Sequence, residues 1–487
     1  MKRSSITIIF SLFLFGFVAS CDNNDPGDDD GIATWVKAYG TADADGGAKS
    51  VRQTADGGFI MLGGRNDILK LNGEGAIQWH KCFALAEDFT DLKSLTETPE
   101  GDLVVTGRNG FDAAVLLKLD SAANVLWTKR IEWGQAVNQY TLDVDRNAGS
   151  IYILGEYGGS RCVLMKKDAD GNTLWSKTFG FDLQIDVNGV VSCLRATDDG
   201  GCIMIANLTH LPSGRGCLPI AIKCDSAGGI EWQKTYGPSG GTGDLVYGEN
   251  WDMFLTVEKA SGGGYVLTGT SEWGGMAWVL RIDELGNVLW SKELSSIIRS
   301  TGDVYTIDSP VSACQLDDGG YVVAGKSVYE TENMYTAQST LDQAAWIIKL
   351  SSGGALEWQK SYREEKSTYT YTGEFYTIFG FMEIEMHRTE NRMNMVAFAP
   401  VSGGGFIGAG STSLYGAGGS DFMVLKLNSG AGIIEDTALA MSTRKATVKN
   451  LSFTVTDRSV YQQDTVTETY DIPDPDITGV AFTVIDF

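Results

Sequence analysis

Six times in this chain a basic residue is followed nine positions later by tryptophan: Lys70/Trp79, Lys118/Trp127, Lys166/Trp175, Lys223/Trp232, Arg281/Trp290 and Lys349/Trp358. The interval never varies. A fixed short interval inside a longer, variable one marks a supersecondary unit repeated along the chain, too small to bury its apolar face alone. A seventh cation, Lys426, predicts tryptophan at 435, where Glu435 stands, while Trp35 precedes the first cycle without a partner. The chain therefore supplies the missing strand of its last unit from its own beginning. Rings of blades close in this way, because an open ring leaves edge strands unpaired.

A second interval, four residues from a strand position to a small one, recurs in Phe59/Gly63, Leu103/Gly107, Ile151/Gly155, Cys202/Ala206, Tyr265/Gly269, Tyr321/Gly325 and Phe406/Gly410. Turns such as Asp56-Gly57-Gly58, Asp199-Gly200-Gly201 and Asp318-Gly319-Gly320 precede them, and Gly and Asp supply the positive φ of tight hairpins. This is where much of the glycine excess, 60 of 487 residues, goes. No helical period intervenes. The expected fold is all-β: a seven-bladed β-propeller of four-stranded antiparallel blades over residues 34–435, closed by the N-terminal strand. A hairpin centred between Glu74 and Gly75 sets Lys70 opposite Trp79, and a cation over an indole would brace each blade by about 0.5–2 kcal/mol.

Function is sought where the spacing varies. The connections between second and third strands, and between one blade and the next, differ widely in length and emerge on one side of the disc. The other turns stay short, so one face is plain and the other elaborated. The longest insertions are consecutive, a loop near 326–345 and a connection near 362–394, and together they predict a lid. Trp133, Trp251 and Trp273 fall in loops of this face. With Tyr247, Tyr329, Tyr335 and Tyr376 they are the candidate ligand-binding residues, since flat aromatics around an acidic groove suit sugars or peptides.

The ends of the chain carry other signals. Lys2 and Arg3, an apolar run from Ile6 to Val18, and Val18-Ala19-Ser20-Cys21 resemble a secretory leader with a lipobox, which implies a signal peptide over 1–20 and acylation at Cys21. Residues 21–33, with Asp28-Asp29-Asp30, form an acidic tether. At the other end, residues 436–487 lack the interval; Ala446–Asp457 and Thr465–Ile472 alternate like strands, and a short C-terminal β appendage is expected. Seven cysteines remain besides Cys21; most read as small buried strand residues, and Cys193, Cys202, Cys217 and Cys224 lie close enough for one or two local disulfides.

Acidic residues number 62 against 38 basic, a formal charge of −24, which argues against nucleic acid as a partner. Three histidines, His80, His210 and His387, fall in different blades and predict no metal site. Asp43-Ala44-Asp45-Gly46-Gly47 lacks the later bidentate glutamate of a calcium loop and reads as a turn. No G-x-S-x-G elbow, H-E-x-x-H or phosphate loop occurs, and no cofactor is expected. The pattern Lys-Leu-Asp-x-x-Gly-x-x-x-Trp resembles the Trp-bearing repeats of quinoprotein-like propellers. Residues 34–435 as a whole resemble uncharacterised propeller lipoproteins of Bacteroidetes type, some lectin-like, which implies an outer-membrane lipoprotein exposed at the cell surface. The leading expectation is a non-catalytic binding propeller, monomeric or part of an outer-membrane complex, held to the membrane by its lipid and capturing a glycan or protein. The alternatives are a carboxylate-dependent glycoside hydrolase or lyase, with Glu249, Asp252 and Glu272 as candidate acids, and an assembly module of an outer-membrane complex.

Overall fold

The computed structural model describes residues 34–39, 47–64, 66–84, 89–109, 113–132, 140–145, 147–157, 161–180, 189–209, 217–238, 253–271, 276–296, 305–333, 338–363, 367–377, 380–392, 394–412, 421–430, 440–442, 446–450, 453–457 and 483–486. Among them there is no helix, and the strands sort into seven sheets, antiparallel except for one parallel pairing in the sixth. Blade 1 runs outward through Ala48–Gln53, Phe59–Gly63, Asp67–Leu71 and Ile77–Ala84. Blades 2 to 5 repeat that order within 89–132, 140–180, 189–238 and 253–296. Blade 6 is Tyr305–Gln315, Tyr321–Asn333, Gln338–Leu350 and Leu356–Arg363. In blade 7, Asn394–Pro400, Phe406–Thr412 and Asp421–Leu427 are completed by Trp35–Tyr39 as the outer strand. Inner strands touch in sequence around the axis, and that of blade 7 touches that of blade 1. The disc is a closed seven-bladed propeller.

The nine-residue interval is a register. Lys70 stands opposite Trp79, and the same pairing holds for Lys118/Trp127, Lys166/Trp175, Lys223/Trp232, Arg281/Trp290, Lys349/Trp358 and, across the closure, Lys426/Trp35. The cation does not stack on that indole as the spacing suggested. Lys70, Lys223 and Lys349 are buried and turn to the acid of the first hairpin, Asp56 at 2.8 Å, Asp199 at 2.7 Å and Asp318 at 2.5 Å. A buried ammonium needs a carboxylate more than a ring face. The cations that do lie over the indoles sit two residues further along the outer strand: Lys37 over Trp35, Lys129 over Trp127, Lys177 over Trp175 and Lys360 over Trp358.

Five of the seven tryptophans instead clasp the next blade. Trp35, Trp79, Trp175, Trp232 and Trp290 donate their indole N–H to carbonyls of Gly73, Ser121, Ser226, Glu284 and Ser352, in the outer hairpin turn of the neighbour. Gly228, at φ +76°, shows why that turn needs glycine: a Cβ there would lie 2.9 Å from the Trp175 ring. The small residue of the second interval is explained too. Opposite Gly63, Gly107, Ala206, Gly269, Gly325 and Gly410 the inner strand carries a β-bulge. The extra residues are Lys49, Lys93, Ser192, Leu255, Val311 and Val396, and bulges of this kind re-aim a side chain.

Apolar residues between blades form the core, as in the cluster of Tyr152, Leu164, Leu194 and Met204 between blades 3 and 4. Cys162, Cys193, Cys202, Cys224 and Cys314 are buried free thiols, and burial pushes the Cys314 thiol up to about 12. Four short C-terminal strands lie on the rim. Ala440–Ser442, Ala446–Asn450, Phe453–Asp457 and Thr483–Asp486 pair antiparallel with the outer strands of blades 6, 5, 4 and 1.

Candidate functional site

Among the described residues, blade 6 extends furthest on the elaborated face. Its first three strands are 11, 13 and 13 residues long, whereas no strand of the other blades exceeds nine. The segment expected as a loop near 326–345 instead continues the ladder, from Lys326↔Ala345 to Asn333↔Gln338. The segment expected as a connection near 362–394 contains a hairpin, Ser367–Thr377 with Gly380–Arg392. In the second segment Thr and Tyr alternate over 368–372, and the period of two outweighs the polar composition that reads as loop. The hairpin's second strand runs parallel to the third strand of the blade, Gln338↔His387 through Gln343↔Arg392. The result is a seven-stranded sheet that rises from one side of the disc, with Ser367–Thr377 along its margin.

One side of this sheet is sealed. Ser339, Leu341 and Met386 are buried, while Gln338, His387 and Thr370, which share one cross-strand row, are exposed. Two positions along each strand, Thr331, Thr340, Thr389 and Thr368 share a cross-strand row. The row after it aligns the positions of Tyr329, Asp342 and Asn391. The exposed row of this platform, Gln338, His387 and Thr370, is polar.

Of the candidate residues, Tyr329 lies on the second strand of blade 6, opposite Thr306 and Asp342, and Tyr376 lies on the hairpin opposite Phe381. Blade 6 and its hairpin thus bring those two positions into one sheet. Trp133, Tyr247, Trp251, Trp273, Tyr335 and Cys21 lie outside the described residues, as do Glu249, Asp252, Glu272 and His210. His80 is 3.1 Å from the buried Asp67 in blade 1, remote in the fold from His387 on the platform.

A second polar locus, on the axis, was not singled out by spacing. Arg52, Thr96, Asp143, Arg195, Glu258, Cys314 and Ala399 occupy equivalent positions on the seven inner strands, opposite Ile60, Val104, Tyr152, Ile203, Val266, Val322 and Ile407. Four of the seven are charged. Arg195 donates from Nε to Glu258 Oε2 at 2.9 Å and from Nη2 to Glu258 Oε1, and its Nη1 reaches Leu194 O at 2.7 Å. Asp143 Oδ2 accepts the Ala196 amide at 3.0 Å. Burial works against the Arg195 charge, but the neighbouring negative groups, Glu258 among them, outweigh it and raise its pKa. Arg52 comes from the far side of the ring into the same field. Burial and the like charge of Arg195 lower its pKa, against the pull of Asp143 and Glu258. It makes no hydrogen bond or ion pair among the described residues. The available signal was a charged residue one place before the end of an otherwise ordinary inner strand, as in Val51-Arg52-Gln53 and Val257-Glu258-Lys259.

No family model matches the chain, and no curated protein matches it. Among solved structures, a protein of unknown function from Bacteroides caccae aligns with 53% of this chain and 92% of its own length, at 14% identity and a TM-score of 0.28. BamB from Moraxella catarrhalis aligns with 77% of this chain and 96% of its own, at 14% identity and a TM-score of 0.37. Function is therefore argued from this chain's own geometry.

Proposed function

We propose that this protein is a surface-anchored, non-catalytic binding propeller that captures a glycan or protein on its elaborated face. The observation that carries the reading is one-sidedness among the described residues: the hairpin turns of one side are short, while on the other the first three strands of blade 6 lengthen and are joined by the hairpin Ser367–Thr377 with Gly380–Arg392. Loops and extensions on a rigid ring are where a scaffold of this kind places recognition. The exposed Gln338, His387 and Thr370 offer hydrogen-bond donors and acceptors to a ligand.

The margin of the platform favours a protein ligand. Ser367–Thr377 pairs with one neighbour among the described residues, is 11 residues long and contains no proline. An edge of that length is a template for strand addition. This supports the assembly-module reading as a form of the same activity.

The anchor fits the same orientation. Trp35 lies at the turn end of blade 7's outer strand, opposite Lys426. If Cys21 is acylated, residues 21–33 form a tether of up to about 45 Å that leaves from the plain side. The platform then points away from the membrane.

Deleting residues 365–392 leaves blade 6 joined to blade 7 by a short connection. Pull-downs from envelope extracts and glycan arrays, run with the whole protein and with this deletion, test the proposal. Retention of a ligand by the whole protein and its loss in a deletion that still melts cooperatively are expected. A ligand retained equally by both would refute this site.

A further inference from the structure

We propose that the axial channel is a second binding site, for an amphipathic organic carboxylate whose headgroup is held by Arg52. This site is independent of the platform and of its ligand. Three observations meet there.

The first is the unpaired guanidinium. Glu258 is already committed to Arg195, and Asp143 to the Ala196 amide. Arg52 is half-buried, faces a second guanidinium and has five N–H donors with no acceptor among the described residues. A carboxylate is the group that such a fork binds in a bidentate manner, and it would relieve the repulsion between Arg52 and Arg195.

The second is the circumference of the channel above that layer. The bulged residues of the inner strands lie three residues from the Arg52 layer, roughly 10 Å nearer the elaborated face. On blades 1 and 2 they are Lys49 and Lys93; across the axis, on blades 5, 6 and 7, they are Leu255, Val311 and Val396, all three half-buried. Lys49 reaches across to Leu92 O of the next inner strand at 3.0 Å, which keeps its ammonium at the channel wall. The bulge positions are thus cationic on blades 1 and 2, Ser192 on blade 4 and aliphatic on blades 5 to 7, where Val311 and Val396 also pack against the cores between blades. A ligand with a charged end and an apolar side matches the ring.

The third is the contrast with the rest of the molecule. In a chain of net charge −24, Lys49, Arg52, Lys93 and Arg195 outnumber Asp143 and Glu258 around the axis. A free inorganic anion would be repelled by the acidic exterior, whereas apolar burial supplies the additional drive that admits an amphipathic one.

The test uses the full chain and octanoate as the probe, titrated calorimetrically beside octan-1-ol, acetate and phosphate. Octanoate is expected to bind one saturable site at least tenfold more tightly than any of the other three. Arg52→Gln is expected to weaken octanoate at least tenfold, to leave octanol unchanged and to melt within a degree of the parent, because Arg52 has no hydrogen bond or ion pair among the described residues to lose and the pull of Asp143 and Glu258 is opposed by the like charge of Arg195. Arg52→Lys, which keeps the charge without the fork, should fall between the two and serves if the glutamine variant does not fold. Absence of saturable octanoate binding, octanol binding as tightly, or octanoate affinity within twofold of the parent in the glutamine variant would overturn the proposal.

Discussion

Replacing Trp35 by alanine probes the ring closure, and a matched substitution elsewhere isolates what closure adds. Trp35 donates to Gly73 O at 3.3 Å, meets Phe59 edge-on at 6.0 Å and covers the Gly75 turn. Trp175 has the same surroundings: Ser226 O at 3.1 Å, Tyr152 at 6.0 Å and the Gly228 turn. Truncating a buried aromatic costs about 3–5 kcal/mol, and both indoles are half-buried, so roughly 2 kcal/mol of packing is lost from each. The hydrogen bond adds about 1 kcal/mol. The local losses are thus equal, near 3 kcal/mol. The strand around Trp175 is continuous with the chain on both sides and pairs within its own hairpin. Trp35–Tyr39 has no covalent link to the strand it pairs with, so it can detach alone. Local opening should therefore become about a hundredfold more frequent in Trp35→Ala, since 1.4 kcal/mol is a factor of ten. Peptide-resolved hydrogen exchange should show that acceleration in Asp421–Leu427 and in Trp35–Tyr39. Trp175→Ala should leave Arg161–Lys167 exchanging only through global unfolding. Equal acceleration in both pairs of strands would refute the reasoning, because detachment would then not be what the closure controls.

Asp56 and Asp199 define an acid-sensitive window. Burial raises each carboxyl, but hydrogen bonds from Lys70 and Thr54, and from Lys223 and Thr197, outweigh it and hold both at about 2, below the ordinary 3.8. A depressed folded-state pKa gives stability that is full above pH 4 and fades as pH falls toward 2. Both acids are half-exposed, so about 1 kcal/mol each is expected; urea midpoints between pH 2 and 6 should show the slope, and Lys70→Met with Lys223→Met should flatten it. Arg195→Met strands Glu258 on the axis and should cost about 2–4 kcal/mol in chemical denaturation, most of it recovered when Glu258→Met is added; no recovery would mean the pair is not the cause. Gly228→Ala and Gly101→Ala separate strain from collision. Both glycines have positive φ, but a Cβ on Gly101 meets nothing within 4 Å, so thermal melting should show roughly 1 kcal/mol for Gly101 and clearly more for Gly228.

The ring was legible because its determinants are periodic. Lys and Trp nine apart are a hairpin register, and Trp35 without a cycle of its own locates the closure. Even the small residue of the second interval was visible, although the bulge it accommodates was not. What escaped is what depends on contacts between repeats. Lys70 and Trp79 do stand opposite each other, yet the lysine's partner is Asp56, on a different hairpin. No interval connects Arg52 to Arg195 and Glu258, because three different blades bring them to one axis. The Thr and Tyr alternation at 368–372 did carry a strand signal, but the parallel pairing that places this hairpin on blade 6 spans 49 residues from Gln338 to His387 and leaves no local trace.

The Trp35–Lys426 pair also orders events in time. Those two residues are 391 positions apart, so during synthesis or export no ring can shut until the final blade has emerged. Until then blade 7 has no outer strand, and the closing segment waits without its partner. The delay leaves the early blades held by their own sheets and by packing on their neighbours until the last strand pairs. It also gives the cell a simple criterion of completeness: a chain interrupted anywhere before Lys426 retains an open seam that proteases and chaperones can recognise.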